Sequence, residues 1–272
     1  MIKKKIFNNG VEIPMLGLGV YQTKDGAETV NAVKWALEAG YRHIDTAAVY
    51  GNENSVGLGI KESGIPREEI FLTTKLWNED IRKGRELEAF EESLKRLQTD
   101  YVDLYLIHWP VENREKSWKV LEEIYASGRA KAIGVSNFQQ HHLEKLLAVA
   151  KVIPAINQVE AHPYLNNNEL ADYCRSKGIA MQAYSPLGGT GGNLLENEVL
   201  NKLAEKYNRT PAQIVICWDI QRDFVVIPKS VHKDRIISNL EVDFELLPED
   251  MEVINSLNCG KRFGPDPDHF DF

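Results

Sequence analysis

Cysteine is scarce in this chain. The three present, Cys174, Cys217 and Cys259, are an odd number without C-x-x-C spacing. That argues against a disulfide framework or a thiolate metal cluster and suits reduced, packed thiols in a cytosolic protein. Long apolar runs are lacking as well. None approaches the ~20 residues of a membrane-spanning helix, and Ile2-Lys3-Lys4-Lys5 leads into a polar turn with no apolar stretch behind its charges. A cytoplasmic location is expected. Nor is there a basic excess: 32 Lys and Arg face 40 Asp and Glu, a net charge of −8. This argues against nucleic acid or an anionic membrane as the main partner, while leaving room for an anionic ligand in a locally positive pocket. Two further motifs are missing. Gly17-Leu18-Gly19 and Gly57-Leu58-Gly59 lack the third glycine of a dinucleotide fingerprint, and no histidine pair has H-x-x-x-H spacing, so no metal is expected. His141-His142 reads as a helix start on the surface, and His162 as a hydrogen-bonding loop residue.

What is present is an alternation of short apolar runs with longer amphipathic ones, the sequence form of repeated β-α units. Strands are expected over 15–19, 41–45, 70–75, 102–108, 132–136, 155–159, 180–184 and 224–228. Helices are expected between them over 27–39, 53–62, 84–97, 117–126, 142–150 and 168–177, with a last barrel helix over 233–239. Eight strands and their helices in this order predict an α/β fold, a (β/α)8 TIM barrel, as one domain over residues 1–272. Two features exceed a minimal barrel. Residues 4–13 read as an N-terminal hairpin around Asn8-Asn9-Gly10. Two extra helices, 198–207 and 211–221, precede the last strand, the second opened by Thr210 as N-cap and Pro211 at the first helical position. A short helix over 249–257 follows.

In such a barrel the reacting groups sit where strands end. The second strand ends in Asp45, with Tyr50 five residues on; the third ends in Lys75 and the fourth in His108. Neighbouring strands therefore bring Asp, Tyr, Lys and His to one corner of one face. A tyrosine hydroxyl is a poor acid at neutral pH; a nearby ammonium favours the phenolate, and a buried carboxylate keeps that ammonium charged. Histidine at the same place can orient a carbonyl by hydrogen bonding. The set is a proton donor aimed at an oxygen that gains negative charge. It holds neither a nucleophile nor a metal site, so a nicotinamide hydride fits as the source of electrons. Each residue alone could be a satisfied structural polar group, and Lys75 could instead be a Schiff-base lysine of an aldolase-like barrel.

At these residues the sequence resembles the aldo-keto reductase superfamily. The segments that carry the resemblance are Gly40-Tyr41-Arg42-His43-Ile44-Asp45-Thr46-Ala47 with Tyr50-Gly51-Asn52-Glu53, Thr74-Lys75-Leu76-Trp77, and Asp103-Leu104-Tyr105-Leu106-Ile107-His108-Trp109-Pro110. Gly134-Val135-Ser136-Asn137-Phe138, Asn157-Gln158-Val159-Glu160, Ala183-Tyr184-Ser185-Pro186-Leu187-Gly188 and Ile227-Pro228-Lys229-Ser230 continue it in order along almost the whole chain. The resemblance implies a catalytic tetrad of Asp45, Tyr50, Lys75 and His108, with Tyr50 as general acid in the reduction of aldehydes and ketones by NADPH.

It also implies where that cofactor lies. Ser136, Asn137 and Gln158 hold the nicotinamide carboxamide and Tyr184 stacks on the ring, while Gly19, Val20, Tyr21 and Asp45 border it. Ser185 and Leu187, with Gly188-Gly189-Thr190-Gly191-Gly192, cover the pyrophosphate. Lys229, Ser230 and Arg235 take the adenosine 2′-phosphate, and Asn239 meets adenine. One position departs from the pattern: Ser238 stands where the family often has Glu before that Asn, which weakens the adenine contact.

Tyr21, Tyr50, Trp77, His108 and Trp109 are expected to wall the substrate end. The short tail after Gly260 suggests an open site for varied small carbonyls, as in the short prokaryotic-type reductases of glyoxals, keto-sugars or diketogluconate. A monomer is the default. The alternative is a nucleotide-binding regulatory protein on the same fold with little turnover.

Overall fold

The computed structural model describes residues 3–189 and 192–272; Met1, Ile2, Thr190 and Gly191, on which parts of the leader and pyrophosphate expectations fall, lie outside the described residues. The chain opens with an antiparallel hairpin of β1 (Lys4–Ile6) and β2 (Glu12–Pro14), with Lys5 opposite Ile13. The barrel strands follow: β3 (Leu18–Gly19), β4 (His43–Asp45), β5 (Phe71–Leu76), β6 (Val102–Ile107), β7 (Ala130–Ser136), β8 (Ile156–Glu160), β9 (Ala180–Tyr184) and β10 (Phe224–Val226). Each pairs in parallel with the next. The ring closes where Leu16 bridges Val226 and Gly19 bridges Lys229, with Gly17 N–H donating to the Val226 carbonyl at 2.9 Å.

The helices are α1 (Ala27–Ala39), α2 (Glu53–Ser63), α3 (Asn78–Lys83), α4 (Glu86–Leu97), α5 (Arg114–Ala126), α6 (Gln140–Leu147), α7 (Asn168–Ser176), α8 (Glu198–Tyr207), α9 (Pro211–Gln221), α10 (Lys233–Ser238) and α11 (Pro248–Asn255). Their apolar stripes face the sheet: in α4, Glu86, Ala89, Phe90, Ser93, Leu94 and Leu97 are the buried positions, at the three- and four-residue spacing of one helix face. Thr210 caps α9 as its sequence indicates, accepting from Gln213 N–H at 3.2 Å while the Gln213 side chain accepts from Thr210 N–H at 2.8 Å.

The helix expected over 84–97 is α4, and the sequence reading did not anticipate the short α3 before it. Gly84 takes φ 65°, a left-handed position that ends α3 and lets α4 start at a new angle. His142 also departs from expectation, being buried rather than on the surface. Its Nδ1 accepts from Gln139 N–H at the start of α6 (3.2 Å), so its proton sits on Nε2, which faces Asp268 Oδ1 at 3.4 Å; His141 Nε2 approaches the same oxygen at 3.0 Å. The pair is a helix start and an anchor for the tail.

The glycines that form no dinucleotide fingerprint are packing devices. A Cβ on Gly57 would lie 2.5 Å from the Leu97 carbonyl oxygen, and one on Gly59 would lie 2.9 Å from Val33 Cβ. Only glycine lets α2 approach α1 and α4 this closely.

The hairpin covers the floor of the barrel. Phe7 and Ile13 join Phe71, Leu104, Leu106, Ala132, Ile156 and Val225 in one buried cluster, and the Phe7 and Phe71 rings meet edge to face at 6.2 Å. Asn8 and Asn9 donate to the carbonyls of Pro154 and Lys131, just before β8 and at the start of β7. The polar residues that end the strands are thus left at the opposite mouth.

Candidate active site

At that mouth β4 delivers Asp45, β5 delivers Lys75, and His108 follows β6. Tyr50 ends a short 3-10 turn over Ala48–Tyr50, five residues past the strand. Lys75 is fully buried, and its ammonium donates to Asp45 Oδ1 at 2.5 Å, to the Thr46 carbonyl at 2.8 Å and to the Tyr50 hydroxyl oxygen at 3.4 Å. The four predicted residues therefore do converge. His108 packs edge-on to both Tyr50 (5.7 Å) and Trp77 (5.3 Å).

Burial decides how these groups titrate. It pushes the Lys75 ammonium below its ordinary value, and Asp45 pulls it back up. It lowers His108 well below the usual histidine range, with Lys75 adding to the effect, so the imidazole is neutral. The Tyr50 hydroxyl is raised well above 10, by burial first and by the charge of Asp45 second. The expectation that Lys75 would lower it is corrected here. Removing the hydroxyl from water outweighs the ammonium, and Tyr50 keeps its proton at neutral pH.

Asp45, Tyr50 and His108 line a cleft of about 940 Å³, with the buried Lys75 behind them. Ser136, Asn137 and Gln158, all buried, close its floor, and Tyr184 and Ser185 border it. Asn137 and Ser185 hold positive φ angles of 65° and 48°, uncommon for residues with a Cβ and here placed just past strand ends. The Tyr184 hydroxyl donates to Asn137 Oδ1 at 2.8 Å, and Asn137 Nδ2 donates to the His108 carbonyl at 3.0 Å. Gln158 gives its amide N–H to Asp45 Oδ2 at 2.7 Å, which leaves its carbonyl oxygen as an acceptor.

The remaining predicted residues are distributed unevenly. Gly19, Tyr21, Leu187 and Lys229 line the cleft. Val20 does not: its side chain is fully buried in the core and its N–H bonds the Asp45 carbonyl at 3.1 Å. Arg235 is exposed on α10, while Ser230 and Asn239 are buried beside it, all three beyond the lining of the cleft.

At the substrate end, Tyr21 lies 5.0 Å from Tyr50 between ring centroids, and Trp77 and Trp109 face the mouth. The short tail packs against this end. Phe272 stacks on Trp77 at 5.8 Å with an interplanar angle of 7°, and Phe270 packs on Trp109 at 4.9 Å. Arg82 Nη2 holds the Phe272 backbone oxygen at 2.8 Å. Sequence reasoning also missed Glu160, a buried carboxylate at the end of β8 that bonds the tail at Phe263 and Gly264. The strand-end rule would have found it had that strand been carried one residue further.

Comparison with known proteins agrees with this geometry. Residues 15–258 match the profile described as "Aldo/keto reductase family". The chain is 54% identical over 267 residues to glyoxal reductase of Bacillus subtilis (strain 168), covering 97% of this chain and 96% of that one. It is 46% identical over 286 residues to glycerol 2-dehydrogenase (NADP(+)) of Saccharomyces cerevisiae, covering 93% and 90%. The crystal structure of MGS-M4, an aldo-keto reductase from a Medee basin deep-sea metagenome library, superposes with a TM-score of 0.96 at 49% identity, over 98% of this chain and 100% of that one. A closed parallel barrel with Asp45, Tyr50, Lys75 and His108 gathered at its mouth, and family likeness over nearly its whole length, place this chain in the aldo/keto reductase family of oxidoreductases.

Proposed function

We propose that the protein reduces small aldehydes and ketones, glyoxals and keto-sugars among them, with NADPH as reductant and Tyr50 as the acid. The observation that carries this reading is the buried Lys75 ammonium held between the Asp45 carboxylate and the Tyr50 hydroxyl. Two of the relatives support it by name, one as a glyoxal reductase and one as an NADP(+) enzyme.

The residues present fit a nicotinamide dinucleotide. The lining of the cleft runs from the aromatic end at Trp77 to Lys229. At its floor the Gln158 carbonyl and the Ser136 and Asn137 side chains are the partners a carboxamide needs. Tyr184, fixed by its bond to Asn137, offers a ring face for stacking. Bound NADPH supplies the hydride. Lys229 and Arg235 are the cations that would take its 2′-phosphate.

The chain's own part is to place a carbonyl and deliver a proton. Neutral His108 donates one N–H to the carbonyl oxygen and orients it. Tyr50, protonated at neutral pH, gives its proton to that oxygen as negative charge builds there. Lys75 then donates to the phenolate it leaves, and Asp45 keeps Lys75 charged despite burial. Trp77, Trp109 and the tail aromatics exclude water from the reacting corner.

Loss of absorbance of NADPH in the presence of methylglyoxal tests the reaction, and Tyr50→Phe tests the acid. The variant should bind NADPH normally and turn over roughly 10²–10⁴-fold more slowly. Wild-type turnover by the variant would remove Tyr50 from this role, and cofactor binding without turnover by the wild type would favour a nucleotide-binding regulator.

A further inference from the structure

Glu160 belongs to none of the groups that meet the carbonyl, yet it is only 1% exposed and carries charge. Its carboxylate accepts from Phe263 N–H at 2.6 Å, from Gly264 N–H at 3.0 Å and from His162 Nε2 at 3.0 Å, while its backbone carbonyl accepts from Asn167 Nδ2 at 2.6 Å. These bonds outweigh burial and hold the carboxyl below its ordinary value, so it is ionised at neutral pH. A buried carboxylate spending two bonds on consecutive backbone N–H groups fixes that backbone strongly.

The stretch it fixes is 103 and 104 residues away in sequence and touches the cleft on two sides. Gly264 runs between Glu160 and Tyr184: a Cβ there would lie 3.1 Å from Glu160 Oε2 and 3.6 Å from the Tyr184 hydroxyl. The Phe263 ring lies on the glycines beyond β9, since a Cβ on Gly192 would be 2.7 Å from Phe263 Cζ and one on Gly188 would be 3.5 Å from Phe263 Cε2. It also meets the His162 ring at 4.9 Å. Phe263, Gly264 and Pro265 all line the cleft.

We infer that Glu160 is a positioning residue for the cofactor half of the cleft: by anchoring Phe263 and Gly264 it sets Tyr184 and the wall at Gly188 and Gly192, and so controls how tightly NADPH is held. The inference rests on the reading of this cleft as an NADPH site. Glu160→Gln keeps the side chain's size but leaves one acceptor oxygen for two backbone donors. One of the two N–H groups then faces an amide donor.

The test is NADPH binding and release, followed by the change in its fluorescence, in wild type, Glu160→Gln, Phe263→Ala and the double variant. Phe263→Ala removes the ring from Gly192 while leaving every bond of Glu160 in place. Each single variant should weaken NADPH binding about tenfold, mainly through faster release. The KM for methylglyoxal should stay within about twofold, because the aromatic end is untouched. The double variant should be little worse than either single one, since both act through one contact path. A variant that loses melting temperature but binds and releases NADPH as the wild type does would show a purely structural role and overturn the inference. Should Glu160→Gln fail to fold, wild-type binding by Phe263→Ala would overturn it equally. A wild-type chain that binds no NADPH would remove the cofactor reading itself; wild-type binding with unchanged variants removes only the role of Glu160.

Discussion

Gln158 and Asp45, 113 residues apart, share a hydrogen bond of 2.7 Å that ties the floor of the cleft to the corner where Lys75 and Tyr50 meet. Gln158 holds Oδ2 and Lys75 holds Oδ1, so both oxygens of the Asp45 carboxylate are occupied and its orientation is set from two strands at once. The floor of the cleft at Gln158 and the corner at Asp45 and Lys75 are therefore one hydrogen-bonded unit.

Asp45→Asn should damage both stability and rate. It leaves the Lys75 cation buried without its paired carboxylate, a change that costs about 3–5 kcal/mol when a buried pair is broken. Urea unfolding should register that loss, with aldehyde reduction down about a hundredfold or more at temperatures where the variant is folded. A variant as stable as the wild type would show that Lys75 is neutral in the folded protein.

The stacked pair of Trp77 and Phe272 should matter most for large substrates. Phe272→Ala removes one aromatic face worth about 1 kcal/mol. The KM for a nitrobenzaldehyde should rise about fivefold, and that for methylglyoxal, too small to span the pair, should hardly move. Equal effects on both substrates would place Phe272 outside the substrate contact.

Choice of cofactor tests the far end. Lys229→Ala and Arg235→Ala should each raise the KM for NADPH about tenfold or more by removing a cation from the 2′-phosphate, with the KM for NADH unchanged. A parallel rise for both cofactors would mean that these residues act on the protein's packing instead.

Acid should destabilise the fold through His43. Burial lowers this imidazole to about 4 from its ordinary 6.5, so the folded state excludes a proton that the unfolded chain accepts. Its contribution is intact above pH 6.5 and is lost as the pH falls from there through 4, amounting to roughly 3 kcal/mol at the lower end. Urea unfolding of wild type and His43→Asn at pH 7 and pH 4.5 should show the shallower dependence in the variant. Identical slopes would exclude His43 as a source of acid lability.

Much of the barrel was legible because its signals are local. Apolar period and cap chemistry placed α1, α8, α9 and β9 at their observed bounds, Thr210-Pro211 and Gly40 being clear punctuation. α3 was missed because it is six residues long, starts directly after Trp77 and ends at a glycine that also reads as a helix start. In the site, strand ends named the tetrad. They could not reveal that Gln158 bonds Asp45 or that Glu160 bonds Phe263, since such pairings arise only when distant strands and the tail are brought together. The direction in which the Tyr50 hydroxyl shifts was misjudged for a related reason. A neighbouring charge is visible in a sequence, whereas the depth at which a hydroxyl is buried is a property of the packed whole.

The hairpin beneath the barrel has a practical consequence. Because Phe7 and Ile13 seal the end away from the tetrad, the turn at Asn9-Gly10 lies at the opposite end of the barrel from the cleft. Gly10 itself holds φ 85° and is best left as glycine, so an attachment point belongs on a neighbouring residue of the turn. Coupling the protein to a bead or an electrode through this turn would present every molecule mouth-outward, with diffusion to the cleft unobstructed.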